Sequence, residues 1–361
     1  MKKSMRKMIL LMMLIPSYSF SLSITDKYPS YAYVFAEFGV DESYIYDTDF
    51  ERFVLHNEKK IKAFYKRSLA RGKDLLPMMK GYLMKDGLSD LFIYLSMVES
   101  GFSPAVVSPK KAVGLWQFMP ATAKHYNLSV CSSFDERCDP VSSTNAAINY
   151  LSKLHRQFGK WYLAAMAYNC GEGRLEKAIE KVGSDELSIL LDDRDKYLPL
   201  ETREYIKKIL LVAMIGENMM LDFSHEDNSI VQVVVKGGRD LKVLAEMLNI
   251  KSSILLKLNQ QFKDGLVPKA KAHYNINIPY EKMIEFYLCD GEHIEEKSPS
   301  SPYLLSHYVA LGETIEGIAK EYNSSVEAIQ GANHFEDEFL VLDRLLVIPV
   351  SKLVFENSLK Y

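Results

Sequence analysis

The sequence predicts an α+β protein, with a mainly helical domain followed by two small β-α-α-β units. Three observations predict this. Apolar residues recur at helical spacing from residue 49 to about 220, short β-branched runs appear after Asp227, and one stretch is repeated 74 residues later. The length of 361 residues suits two or three domains. With 48% hydrophobic and 25% charged residues, the composition is that of a globular protein. A formal charge of −3, from 44 basic and 47 acidic side chains, gives no general attraction for phosphate backbones, so nucleic-acid binding is not expected.

Taken in order, residues 1–21 read as a cleavable signal peptide. Lys2, Lys3, Arg6 and Lys7 precede an apolar run at 8–15, Pro16 breaks it, and small residues follow at 17–21. The run is too short to span a bilayer. The pattern implies export to the periplasm or cell envelope. No Cys follows the run, so a lipoprotein anchor is not indicated.

Residues 22–75 read as an N-terminal helical arm, with Phe50, Phe53, Val54, Ile61 and Phe64 on one face of a helix starting near Asp49. Residues 76–225 read as the main helical domain. Ser89 or Asp90 caps a helix whose stripe is Leu91, Leu95 and Val98, stopped by Gly101 and Pro104. Another starts at Asp139-Pro140 and carries Ala147, Leu151, Leu154 and Phe158 before Gly159. A short apolar helix covers 161–169, and a long one runs from about 199 to 220.

The repeat then sets the C-terminal organisation. A strand at 231–235, a helix capped by Asp240 and a strand at 274–279 recur as Tyr308-Val309, a helix through Ile315, Ile318, Ala319 and Tyr322, and a strand at 345–349. Gly238 maps to Gly312, Ala245 to Ala319, Leu248 to Tyr322 and Asn259 to Asn333, each 74 residues on, whereas Pro279 and Pro349 differ by 70. The modules are placed at 228–288 and 304–352, joined by a charged Ser/Pro-rich linker at 289–303.

Cys131 and Cys138 are separated by a six-residue loop, Ser132 to Arg137, and could close a disulfide in an oxidising compartment. Cys170 and Cys289 allow no pairing to be read. There is no C-x-x-C and no H-E-x-x-H among eight His residues, so no metal site is expected.

The candidate for chemistry is Glu99, at the end of an apolar helix and followed by Ser100-Gly101-Phe102. Desolvation by Phe92, Leu95 and Val98, and the negative end of the helix dipole, both favour the protonated carboxyl. Such a group can serve as a general acid near neutral pH. Around it stand Ser108-Pro109, Ala112-Val113-Gly114-Leu115-Trp116-Gln117-Phe118-Met119-Pro120, Ala167-Tyr168-Asn169-Cys170-Gly171-Glu172-Gly173-Arg174 and Leu198-Pro199-Leu200-Glu201-Thr202-Arg203-Glu204-Tyr205.

This ordered array resembles the Slt-type lytic transglycosylases, glycoside hydrolase family 23. Within that family it is most similar to the membrane-bound branch designated D. The resemblance runs from about 50 to 215 and implies a lysozyme-like catalytic fold. It implies that Glu99 is the single catalytic acid/base and that Ser108 and Gln117 hydrogen-bond the muramic residue. Tyr168 would orient Glu99 or the reacting sugar, and Asn169 would line the groove. Glu201 and Tyr205 would contact a neighbouring saccharide or brace the site. Trp116 and Phe118 fit core packing as well as sugar stacking, and Cys170 reads as a buried thiol. Two departures are the missing lipid-bearing Cys and Lys207 where relatives commonly carry Pro.

The reaction implied is cleavage of peptidoglycan between N-acetylmuramic acid and N-acetylglucosamine, leaving a 1,6-anhydro end and needing no cofactor. The stretch 308–349, with Gly312-Glu313-Thr314-Ile315, Asn333 and Leu345-Leu346-Val347-Ile348-Pro349, resembles a LysM module, which implies binding to GlcNAc-containing glycan. The copy at 228–288 is diverged, and it either binds glycan or serves as a packing spacer. Two alternatives stay open. One is a hydrolysing muramidase drawing a second carboxylate from Asp135, Glu136, Asp139 or Glu201. The other is a catalytically idle LysM wall-binding protein.

Overall fold

The computed structural model describes residues 23–192, 196–219, 230–289, 303–310, 312–333, 345–351 and 354–355. The expected signal peptide and nearly all of the expected linker lie outside these residues. The described chain forms two compact units. One holds the residues up to 128 and from 142 to 219, and the other holds 129–141 and the residues from 230 onward.

The first unit is helical throughout: α1 (Ile24–Lys27), α2 (Tyr31–Phe38), α3 (Thr48–Gly72), α4 (Leu76–Lys85), α5 (Ile93–Ser100), α6 (Pro120–His125), α7 (Pro140–Phe158), α8 (Trp161–Cys170), α9 (Glu172–Val182), α10 (Leu187–Leu190) and α11 (Leu200–Asn218). Asp47 caps α3, its carboxylate accepting from the amides of Asp49 at 3.0 Å and Phe50 at 2.9 Å. The buried stripe of α3 is Phe50, Val54, Ile61 and Tyr65, while Phe53 and Phe64 are half-buried. α11 is buried almost all round, as a central helix must be. It packs against α3, α5 and α8. That packing makes α3 part of the first unit, where a separate arm ending at residue 75 was expected. Among the described residues, no helix is long and apolar enough to cross a membrane.

The second unit contains the two repeats. The first is β1 (Ile230–Lys236), α12 (Leu241–Met247), α13 (Ser252–Leu258) and β2 (His273–Pro279), followed by α14 (Met283–Cys289). The second is β3 (Tyr303–Tyr308), α15 (Ile315–Glu321), α16 (Val326–Asn333) and β4 (Leu345–Val350). Each repeat pairs its two strands antiparallel, Val233 opposite Ile276 in one and Leu305 opposite Ile348 in the other. The offsets read from the sequence recur in the hydrogen bonds. Asn259 Nδ2 donates to Leu255 O and Asn277 O, and its Oδ1 accepts from Asn277 N at 2.7 Å. Asn333 does the same with Ile329 O, Val347 O and Val347 N. In each copy one asparagine ties the second helix to the last strand, and such bonds replace a desolvation cost of about 1–3 kcal/mol per buried group.

The segment 129–141 was expected inside the catalytic domain. It leaves the helical unit between α6 and α7 and belongs to the second unit. Phe134 stacks on Phe262 with ring centroids 5.1 Å apart and meets Tyr274 edge-on. Asp135 N donates to Gln261 O at 3.0 Å, and the Asp139 carboxylate accepts from Asn277 Nδ2 at 2.9 Å and Gln232 Nε2 at 3.0 Å. The same segment carries the expected disulfide pair, and here the structure differs. Cys131 is exposed, Cys138 is buried, and both are free thiols. The short 3-10 turn Glu136–Cys138 buries the second thiol, and burial pushes it up to about 12.

Candidate active site

The site begins with the end of α5. Ile93 to Met97 are buried, and Gly101 closes the helix with φ 60°, its amide bonded to Met97 O at 2.8 Å. A side chain at 101 would be strained by that φ and would meet Arg71 Nη2 at 2.3 Å. Arg71, on α3, instead donates through Nε to Gly101 O at 3.0 Å. These constraints leave Glu99 half-buried in the last turn of α5.

Tyr205 on α11 donates its phenolic hydrogen to Glu99 Oε1. Burial is the largest influence on Glu99 and raises its pKa to about 7. The Tyr205 bond and the charge of Lys208 oppose the rise, and Glu201 adds to it. Burial, then the charge of Glu99, keeps the Tyr205 phenol well above its ordinary value, so it remains a donor. The arrangement therefore holds a carboxyl that is partly protonated near neutral pH and hydrogen-bonded by Tyr205.

The remaining expected residues fall into different places. Ser108 is half-buried and uses its hydroxyl to accept from Ala112 N at 3.0 Å, closing the turn before the Gly114 loop. Gln117 has φ 49° and donates from Nε2 to Val106 O and Gly114 O, so its amide nitrogen serves the loop itself. Tyr168 was expected to orient Glu99 or the sugar. Its hydroxyl goes instead to Trp116 O at 2.7 Å, although the charge of Glu99 still bears on it. The hydrogen bond to Glu99 comes from Tyr205. Asn169 Oδ1 accepts from Thr202 Oγ1 at 2.9 Å, which joins α8 to α11. Glu201 is exposed and pairs with Lys110 at 3.4 Å.

Trp116 is fully buried with Nε1 bonded to Thr144 Oγ1 at 3.0 Å, and Phe118 is buried in an edge-to-face contact with Tyr168. Both are core residues. Cys170 is half-buried, and burial raises its thiol, which is the opposite of what a nucleophile needs.

The other carboxylates considered as a second catalytic group are engaged within the second unit. Asp135 is paired with Arg137 at 2.7 Å, Glu136 Oε2 accepts from Ser129 N, and Asp139 is bonded to Asn277 and Gln232. A set of metal-type ligands, His307, Glu313 and Glu321, lies in the second repeat. There His307 already uses Nε2 on Glu313 and Nδ1 on Tyr322.

Lys208 is a residue that the sequence reading missed. It stands one turn after Tyr205 on α11, so it shares that helix face, and its ammonium lies 4.6 Å over the Phe64 ring of α3. Burial lowers its pKa while the charge of Glu99 raises it, and Lys60 is the other cation bearing on it. The three-residue step from Tyr205 could have flagged it. Because Lys208 lowers the Glu99 pKa, Lys208→Met is expected to move the basic limb of the pH–rate profile to higher pH. Lys208→Arg should leave it in place. A methionine variant with an unmoved limb would remove Lys208 from the site.

Three family models match the chain. Residues 79–190 match the transglycosylase SLT domain, 229–289 the lytic transglycosylase MltD LysM-like domain, and 307–349 the LysM domain. Membrane-bound lytic murein transglycosylase D of Escherichia coli (strain K12) is 29% identical over 276 residues, covering 73% of this chain and 60% of that protein. A protein of Alteromonas sp. (strain M-1), named for tributyltin chloride resistance, is 42% identical over 89 residues, 24% of this chain and 43% of that one. The crystal structure of the 70 kDa soluble lytic transglycosylase from Escherichia coli aligns at 26% identity and TM-score 0.34, over 40% of this chain and 24% of that chain. The chain thus spans about 60% of the length of the murein transglycosylase D it matches. It carries an SLT domain followed by an MltD-type LysM-like domain and a LysM domain, and it is homologous to the membrane-bound lytic murein transglycosylases D.

Proposed function

We propose that the chain is an exported peptidoglycan lytic transglycosylase with Glu99 as its acid and base. The observation that carries this reading is the single carboxyl held by Tyr205 with a pKa raised to about 7. Near neutral pH such a group exists in both protonation states, and a carboxyl used twice needs both.

In the first half, the Glu99 carboxyl gives its proton to the oxygen between muramic acid and N-acetylglucosamine, and the C1–O bond breaks. In the second half, the Glu99 carboxylate takes the proton of the muramic C6 hydroxyl. O6 then bonds to C1 and closes a 1,6-anhydro ring. No water is added, and Glu99 ends protonated as it began. Gln117, Asn169 and Ser108 line or shape the groove, and Tyr168 fixes the Trp116 to Phe118 loop from behind.

The basic, apolar and small-residue succession at 1–21 supports export, and the LysM module supports retention on GlcNAc-containing glycan by tethering. Mass spectrometry of fragments released from purified sacculi tests the reaction. Anhydro ends, one water lighter than reducing ends and resistant to borohydride, are expected. Reducing ends would make the protein a hydrolase with a second carboxylate, and Glu201 would be the first to examine.

A further inference from the structure

The second repeat holds a group of side chains that the reaction at Glu99 does not use. His307 near the end of β3, Glu313 in the turn before α15 and Glu321 at the end of α15 each offer a ligand atom, and these atoms lie within 4.8 Å of one another. The imidazole is sheltered, its side chain 12% exposed, while Glu321 lies at the surface. His307 Nε2 is 2.7 Å from Glu313 Oε2, and that oxygen also accepts from Ala310 N at 2.7 Å. On its other side the ring is 3.0 Å from Tyr322 Oη through Nδ1.

The first repeat shows what the fold itself requires at these places. The 74-residue offset equates His307 with Val233, and the strand registers agree, with His307 opposite Leu346 and Val233 opposite Ile276. The same offset puts Arg239, Met247 and Leu248 where the second repeat has Glu313, Glu321 and Tyr322. Val233 and Leu248 are buried core residues. A valine and a leucine thus build the same β-α-α-β unit with no polar group there. Placing an imidazole at such a position is unfavourable unless its nitrogens are bonded. The second copy has nevertheless put a bonded His–Tyr pair at two apolar core positions and set two carboxylates near the other ring nitrogen. Nothing in the shared fold accounts for that arrangement.

One imidazole nitrogen and two carboxylate oxygens are donors for a divalent transition-metal ion, and three protein ligands with a fourth position left to water suit zinc. The ring is held as such a ligand needs. With its hydrogen on Nδ1 it donates to Tyr322 Oη and presents the Nε2 lone pair to the carboxylates. A bond of this kind behind the ligand fixes tautomer and orientation at histidine–metal sites. Ala310 N orients the Glu313 carboxylate in the same way. A metal ion would take the place of the hydrogen between Nε2 and Glu313. The 2.7 Å separation must then open to about 3.3 Å, as two tetrahedral ligands at roughly 2.0–2.1 Å require. We propose that His307, Glu313 and Glu321 form a zinc site that ties β3 to the two ends of α15. The site is independent of the reading of Glu99.

The test uses the full chain, stripped with a chelator and titrated with Zn²⁺ by calorimetry. The wild-type chain should bind zinc at this site. Tyr322→Phe should weaken binding about tenfold, and loss of a direct ligand should weaken it further. Two ligand variants are chosen to fold: His307→Val copies the first repeat, and Glu321→Gln changes a surface residue. Circular dichroism melts check that they do, and Glu321→Gln decides the matter if His307→Val does not. Co²⁺ in place of zinc should give the visible spectrum of nitrogen and oxygen ligands. A thiolate-to-cobalt charge-transfer band would put the metal on the cysteines and overturn the proposal. A wild-type chain that binds no zinc, or a folded ligand variant that binds it as tightly, overturns it equally.

Discussion

Glu99→Gln is expected to reduce fragment release from sacculi by about 10⁴-fold or more, because a single acid/base contributes 10²–10⁴-fold and this one serves both proton transfers. The variant should fold, and at pH 8 it should be at least as stable as the parent. The sign follows from the shift. The folded carboxyl has a pKa of about 7 against an ordinary 4.5, so burying it contributes nothing unfavourable while it stays protonated below about 4.5. As pH rises through 7 it must ionise in a partly desolvated place, and the native state loses up to about 3 kcal/mol. Gln carries no such cost. Thermal melts of the two proteins should diverge at pH 8 and converge near pH 4. Residual turnover above about one percent would remove Glu99 from the reaction, and a glutamine variant less stable at pH 8 would contradict the assigned desolvation.

Tyr205→Phe is expected to lower kcat by about 10²-fold, with KM changing little, since it removes a hydrogen bond to the carboxyl. Its pH profile should also change in a stated direction. The Tyr205 bond lowers the Glu99 pKa, so its loss should shift the basic limb of kcat/KM to higher pH. Tyr168→Phe makes a useful contrast. That hydroxyl bonds Trp116 O, so its loss should loosen the Gln117 loop and raise KM more than it moves the pH limb. Tyr205→Phe with unaltered kcat, or the two tyrosine variants behaving alike, would show that the carboxyl is oriented by something else.

Much of the site was legible because its determinants are local. An apolar helix ended by Gly101 is enough to predict a desolvated carboxyl at Glu99, and the structure places the two as expected. The repeat was legible for a similar reason. The 74-residue offset paired Asn259 with Asn333, and both make the same three hydrogen bonds to helix and strand. What was hidden depends on partners far away in the chain. Tyr205 meets Glu99 across 106 residues and Tyr168 meets Trp116 across 52, and no local pattern says which tyrosine takes which partner. Lys208 was passed over because its significance lies in Phe64 and Glu99, on two other helices.

The sequence by itself therefore determined the fold class, the order of the helical domain and the two repeats, and the placing of a desolvated carboxyl, Glu99, at the end of an apolar helix. These follow from periodicity, caps and burial, which neighbouring residues impose. Only the tertiary structure decided that Tyr205 hydrogen-bonds Glu99, that Trp116 is core, and that 129–141 packs in the unit of the first repeat. The physical reason is that side-chain hydrogen bonds and aromatic stacking select among several chemically equivalent partners by distance alone. Those distances exist only once the helices have packed.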